Sequence, residues 1–240
     1  MKIWIFLLVF IVSLAQAQTL KIATTADNPP FSTKADQKNH FYGFDLDIME
    51  EVCKRIGVTC KYSSMLFDNL FPALDSNQID IAIASIVITP TRQENFLLSL
   101  PYLASHVQFI ANQESAINSP DDIKNKRVGV RQGTPFKHVV DMLYSAHQVT
   151  IIEYPFVPNL LEALSNKKVD VILMDKDSAQ YWYANNSNLY KLVGPPIPFG
   201  GGYGIMARKG SDDLILKINA AILQMESDGT YLKIYTRYFN

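Results

Sequence analysis

Gly43 to Ile56 reads GFDLDIMEEVCKRI, and the fold is decided on this stretch. A glycine leads into two acids spaced by two, Asp45 and Asp47, and a helical pattern then runs to Ile56. Ile48, Met49, Val52 and Ile56 recur on one face, Asp45 is placed to cap the N-terminus, and Gly57 supplies a C-terminal stop. Taken by spacing alone, this is one capped amphipathic helix.

Upstream, Met1-Lys2 is a short basic start and Ile3 to Leu14 is apolar apart from Ser13. Ala15-Gln16-Ala17 then has the small-x-small form of a signal-peptidase site. The apolar run is too short for a stable bilayer span. Residues 1–17 therefore read as a signal peptide, with a mature soluble chain expected from Gln18. No Cys follows the cleavage site, so lipid attachment there is not expected.

The chain carries 22 basic and 23 acidic residues, and without Lys2 the balance is 21 against 23, a net of −2. That excludes the electrostatic footprint of a nucleic-acid or anionic-membrane binder. A 48% hydrophobic content argues for packed cores and against disorder. The mature length suits one large domain or two of about 100 residues each. His40, His106, His138 and His147 show no H-x3-H or H-E-x2-H spacing, so no metal site is expected.

Short β-rich runs alternate with helical ones. Strands are expected at Leu20–Thr24, Lys61–Ser63, Ile79–Ala84, Val107–Ala111, Arg127–Arg131, Val149–Tyr154 and Val169–Leu173. Helices are expected at Pro135–Ala146, Asn159–Ser165 and Asp212–Ser227. Such alternation predicts α/β architecture with mostly parallel sheets. Ala73-Leu74-x4-Ile79-Asp80-Ile81 also recurs as Ala163-Leu164-x4-Val169-Asp170-Val171. Two readings stand: chance likeness of two helix–strand units, or one copy in each of two similarly built lobes.

The full string G-F-D-L-D-I-x3-V-C-x2-I resembles the signature of periplasmic solute-binding proteins that feed polar amino acids to ABC importers. Asp228-Gly229-Thr230-Tyr231 fits the closing D/N-G-T-Y of that family, so the resemblance spans nearly the whole mature chain. It implies two α/β lobes that enclose a ligand in the cleft between them, with two hinge crossings. The first lobe would take residues 18–104 and 203–240, the second 105–202. The crossings would fall near Ala104-Ser105-His106 and in Phe199-Gly200-Gly201-Gly202. That glycine run is followed by no G-K-[ST], so a hinge is the better reading than a phosphate loop. In the oxidising compartment so implied, Cys53 and Cys60 read as a disulfide joining the signature helix to the next strand.

A free amino acid needs an acid for its ammonium and a cation or N–H donors for its carboxylate. Ser85-Ile86-Val87-Ile88-Thr89-Pro90-Thr91-Arg92 resembles the family's S-x-x-I-T-x-x-R loop, which implies that Arg92 takes the α-carboxylate. Ala84 and Ser85 would lie against the ligand, Ser85 helping to hold the ammonium. Val87 replaces a usual Ser or Thr and could offer only its backbone N–H. Asp175 stands where the family pairs an aspartate with the ammonium, and Asp177 would cap the helix that follows. Arg131-Gln132-Gly133-Thr134-Pro135 resembles the x-x-G-[ST]-T loop, with Gly133 and Thr134 matching. Pro135 departs from it and suits the first residue of a helix. Phe67 matches the aromatic that packs on the ligand side chain, and it could equally be core.

The specificity pocket departs most. Thr25 and Asn28 occupy positions where basic- and glutamine-binding relatives carry an acid and an aromatic. Arg131 stands where arginine-type relatives carry an acid, and it either enters the pocket or ends a solvent-facing strand. Resemblance puts arginine or another basic amino acid first, and local chemistry puts glutamine close behind. The expected partners are the free L-amino acid and the inner-membrane permease of an ABC importer. A monomer in the periplasm, no cofactor and no nucleic acid complete the expectation. Two alternatives compete: an enzyme on the same fold such as a cyclohexadienyl dehydratase, and a sensor lobe. No nucleophile–His–acid set is seen, and no transmembrane segment follows Asn240.

Overall fold

The computed structural model describes residues 19–35, 40–144 and 148–239. The expected leader, Gln18, Ala146, His147 and Asn240 lie outside the described residues. Among the described residues, no helix is long and apolar enough to cross a membrane.

The signature stretch forms helix Phe44–Ile56, which buries Phe44, Leu46, Ile48, Met49, Val52 and Cys53. Gly57 ends it in the left-handed conformation (φ 71°), its N–H donating to Lys54 O. The start differs from the sequence expectation. Gly43 (φ 136°) is the N-cap, and a Cβ there would run into the Phe31 carbonyl and lie 2.9 Å from Pro30 O. Asp45 makes no cap bond. Its side chain is fully buried and points inward, for a reason given below.

Two five-stranded sheets carry the chain, each built the same way. The first runs 59–64, 19–24, 81–82, 206–208, 96–98, and the second runs 149–154, 126–131, 171–175, 106–112, 190–198. In both, the first two pairings are parallel and the last two antiparallel. The expectation of mostly parallel sheets is therefore corrected to mixed ones. Each sheet receives strands from both directions where the chain crosses over and returns, and those returning strands pair antiparallel.

The internal echo is structural. Asn77 and Lys167 both turn left-handed (φ 58° and 56°), and Gln78 N and Lys168 N donate to Ala73 O and Ala163 O. Each aspartate then clamps its sheet's leading strand: Asp80 Oδ2 accepts from Lys21 N at 2.9 Å, and Asp170 Oδ2 from Arg127 N at 2.8 Å. One unit sits in each sheet, so chance likeness is the poorer explanation. In both units the strand starts directly after the clamping aspartate, at Ile81 and Val171, two residues later than the apolar runs suggested.

The chain passes between sheets twice, and the two passages lie side by side. Phe199 N donates to Ser105 O at 3.2 Å, Gly202 N donates to Ser105 Oγ at 3.1 Å, and the Ser105 hydroxyl donates to Phe199 O. Gly202 (φ 96°) could not carry a side chain, because a Cβ would lie 2.8 Å from Leu103 O.

Cys53 and Cys60 are bonded, their Cα atoms 6.2 Å apart. They tie the end of the signature helix to strand Thr59–Ser64. The closed loop is short, so reduction is expected to cost at most ~2–3 kcal/mol of stability. Thiol titration of the unreduced protein should find no free sulfhydryl; two would sink the pairing.

Candidate functional site

Between the two sheets, loops at strand ends meet face to face. Asp27-Asn28 follows strand Thr19–Thr24, and Ser85 to Val87 follows the strand at Ile81. From the other lobe come Arg131 at the end of strand Lys126–Arg131 and Asp175 at the end of strand Val171–Asp175.

One network joins the lobes. Asn28 Nδ2 donates to Ser85 Oγ at 3.1 Å and to Asp175 Oδ2 at 3.2 Å, while Ser178 Oγ donates to Asn28 Oδ1 at 2.7 Å. The Tyr203 hydroxyl donates to Asp175 Oδ1 at 2.7 Å. Burial pushes the Asp175 carboxyl up to about 6, against the pull of the Tyr203 and Asn28 hydrogen bonds. Asp175 is itself the N-cap residue of helix Lys176–Asn185, without a side-chain cap bond. Asp177, expected to cap, instead pairs with Lys176 Nζ at 2.9 Å.

A second cluster gathers around Phe67, which is buried. The Arg92 guanidinium carbon lies 5.5 Å from the Phe67 ring centroid and 5.1 Å from that of Phe71. Arg92 Nη1 donates to Val87 O at 2.8 Å, and Nη2 crosses to Gly133 O at 3.2 Å. Burial draws the Arg92 pKa down to about 10, which still leaves it charged at neutral pH. Thr89 caps the short helix that carries it, and Pro90 starts that helix.

Arg131 faces inward: it is 5% exposed, so the solvent-facing alternative is overturned. Its Nη2 donates to Asp27 Oδ1 across the lobes at 2.8 Å, and its guanidinium carbon lies 5.3 Å from the Phe67 centroid. Gly133 (φ 76°) packs against the other lobe, where a Cβ would come within 2.7 Å of Asp68 Cβ. Two expected contacts are turned elsewhere. The Thr25 hydroxyl shares a hydrogen bond with Ser32 Oγ at 3.0 Å, and the Thr134 hydroxyl donates to Arg131 O at 2.6 Å, closing its own turn. Pro135 is the N-cap, one residue before the helix starts at Phe136. Ala84 is buried at the base of the Ser85 loop.

Sequence reasoning missed the residue beneath that loop. Asp45 Oδ2 accepts from Ser85 N at 2.7 Å and Oδ1 accepts from the Tyr102 hydroxyl at 2.8 Å. Ser85 sits at φ 45°, where a non-glycine residue is strained, so this bond holds the loop in shape. Burial pushes the Asp45 carboxyl up to about 7. The doublet of acids in GFDLD was the available signal, since a helix needs only one cap. Tyr203 and Ser178 were also missed, and Asp27, the acid that would serve a ligand guanidinium if Arg131 faced away, is instead the partner of Arg131.

These two raised carboxyls predict a pH trend. Between about pH 4 and 7 the folded chain holds protons that the unfolded chain has released, so stability falls as pH rises through 6 and 7. The ligand-free protein is expected to melt at a higher temperature at pH 5 than at pH 8. A higher melting temperature at pH 8 would contradict the two assignments.

Two lobes, a shared hinge and a charged, buried interlobe cleft define a solute-binding architecture. The chain belongs to the bacterial extracellular solute-binding proteins, family 3, whose family model matches residues 20–240. It is 33% identical to the putative ABC transporter arginine-binding protein 2 of Escherichia coli (strain K12), over 96% of this chain and 94% of that one. Its fold is similar to the arginine 3rd transport system periplasmic binding protein from Legionella pneumophila (TM-score 0.88, 41% identity, covering 93% and 100% of the two chains). An ancestral arginine-binding protein bound to glutamine is similar at TM-score 0.85 and 32% identity, covering 93% and 99%.

Proposed function

We propose that this chain captures a polar L-amino acid in the periplasm and delivers it to an inner-membrane ABC importer. One observation carries the reading: Arg92 from the first lobe, half-buried, and Asp175 from the second, buried, face the same cleft. Arg92 suits an α-carboxylate, and Asp175 suits an ammonium. Ser85 and Asn28 stand beside Asp175, where a second acceptor and a donor complete an α-amino-acid head group.

The relatives named for arginine support a basic ligand first. Arg131, turned into the cleft, supports glutamine as the second reading. We read the chain as a monomer and as a binding protein rather than an enzyme: Asp45 spends both oxygens on fixed donors of the fold, and Asp175 is committed to the ammonium. Product formation from prephenate or arogenate would overturn that.

The test is a thermal-shift screen against arginine, lysine, histidine, glutamine and glutamate. A ligand that binds only the native state raises the melting temperature by mass action. No gain with any of the five would defeat the assignment. The lobe division, residues 18–104 with 203–240 against 105–202, makes a further demand. Ser85 and Arg92 sit on one side and Asp175 on the other, so one ligand reaches both sets only when the cleft is shut. Small-angle scattering should show compaction when a confirmed ligand is added; an unchanged radius of gyration would count against hinge closure.

A further inference from the structure

We propose that Asp27 is a closure latch: an acid of the first lobe that caps a helix of the second and holds the cleft shut without touching the ligand. The proposal rests on the amino-acid-binding reading and on hinge closure, and names a positioning residue within them.

Helix Val157–Ser165 of the second lobe starts without help from its own neighbours in sequence. Its N-cap is Phe156, which makes no side-chain cap bond, and no acid stands in its first turn. The first N–H groups of a helix need acceptors, and the positive end of the helix dipole favours a carboxylate there. Here the acceptor comes from the other lobe. Asp27 Oδ2 accepts from Val157 N at 3.0 Å, across 130 positions of sequence. A short hairpin presents this acid: strand Asp27–Asn28 pairs with strand Ser32–Lys34, with Asp27 opposite Thr33. Asp27 Oδ1 accepts in turn from Arg131 Nη2 at 2.8 Å, again from the second lobe.

Both carboxylate oxygens are thus used across the cleft, and both contacts break when the lobes part. The helix start and the guanidinium then return to water, so the latch adds to the shut state alone. Apparent affinity is the intrinsic affinity scaled by the share of molecules that can hold the shut state. A residue that favours this state without touching the ligand therefore strengthens every ligand by one common factor. A residue that touches the ligand changes the ranking of ligands instead. A residue that supports the fold of one lobe lowers the melting temperature of the ligand-free protein. These three roles give three different readouts.

The test is calorimetric titration of arginine, lysine, histidine, glutamine and glutamate into the unmodified protein, Val157→Pro and Asp27→Asn, with melts of each protein free of ligand. Val157→Pro deletes the N–H that Asp27 caps and leaves Arg131 its partner. Val157 is the first helical residue, where proline is tolerated, and Phe156 before it is already extended (φ −123°, ψ 149°). Asp27→Asn keeps the shape and removes the charge. Every amino acid that binds the unmodified protein is expected to bind both variants at least about fivefold more weakly, as loss of a hydrogen bond to a charged group implies. In Val157→Pro the factor should agree within about twofold from one ligand to the next. The ligand-free melting temperature of Asp27→Asn should stay within about 2 °C of the unmodified protein. Unchanged affinities in a folded Val157→Pro would overturn the latch and leave the amino-acid reading standing. A loss confined to one class of side chain in Val157→Pro, or a larger fall in the ligand-free melting temperature of Asp27→Asn, would overturn it equally. If Val157→Pro does not fold, the affinity and the melt of Asp27→Asn decide alone. Binding of none of the five to the unmodified protein would overturn the latch together with the reading beneath it.

Discussion

Asp175→Ala and Arg92→Ala are each expected to lose ligand binding while remaining folded. Removing one partner of a desolvated charge pair costs ~2–5 kcal/mol, or roughly 30- to several-thousand-fold in affinity. The two losses have different causes. Asp175→Ala removes the ammonium partner and also leaves the Tyr203 hydroxyl and the Asn28 amide without their acceptor. Asp175→Asn separates these effects, because an amide oxygen still accepts from Tyr203 while the charge is gone. Arg92→Ala removes the guanidinium that lies over the Phe67 and Phe71 rings and the bridge to Gly133 O. Calorimetry with a ligand from the thermal-shift screen, alongside circular dichroism melts, gives the answer. Near-native affinity in either alanine variant would mean that the head group binds elsewhere.

The fold was legible because its signals are local and repeated. Helix Phe44–Ile56 follows from apolar spacing and from Gly57, and helix Asp212–Ser227 falls where its periodicity put it. The echo around Asp80 and Asp170 announced two lobes, since the same turn, clamp and strand occur once in each sheet. Antiparallel pairing was not legible. It depends on where the chain crosses over and returns, which no single strand's composition reports. Strand Ile79–Ala84 was overlong for a related reason: a continuous apolar run marks burial, and here only Ile81 and Ala82 pair as strand.

The site divides along the same line. Arg92, Ser85 and Asp175 lie in motif loops, so their places in the cleft could be carried over from the family pattern. Arg131 could not be settled from sequence, because strand-end side chains alternate faces and a one-residue change in the loop reverses the direction. Tyr203 was invisible for want of any local signal: its hydroxyl acts on Asp175, a partner more than 25 residues away in the chain. Asn28 looked like a loss of the family aromatic. In three dimensions it is a gain, a side-chain amide that uses both its ends across the cleft.

Asp45→Ala should destabilise the protein by about 2–4 kcal/mol, since it orphans two buried donors at roughly 1–3 kcal/mol each while relieving the burial of a carboxyl. Those donors are the Ser85 N–H and the Tyr102 hydroxyl, both held within 2.8 Å of Asp45 oxygens in a fully buried site. Ser85 would also lose what holds it in its left-handed conformation, so ligand affinity should fall with stability. A double-mutant cycle isolates the pair. Tyr102→Phe deletes one orphan in advance, so Asp45→Ala should cost about 1–2 kcal/mol less in that background than in the unmodified protein. Urea unfolding of the four proteins measures this. If Asp45→Ala unfolds at the midpoint of the unmodified protein, the acid of GFDLD is not the support of the binding loop. If the two tyrosine backgrounds give the same loss, the Tyr102 hydrogen bond contributes nothing to that support, and the Ser85 N–H carries it alone.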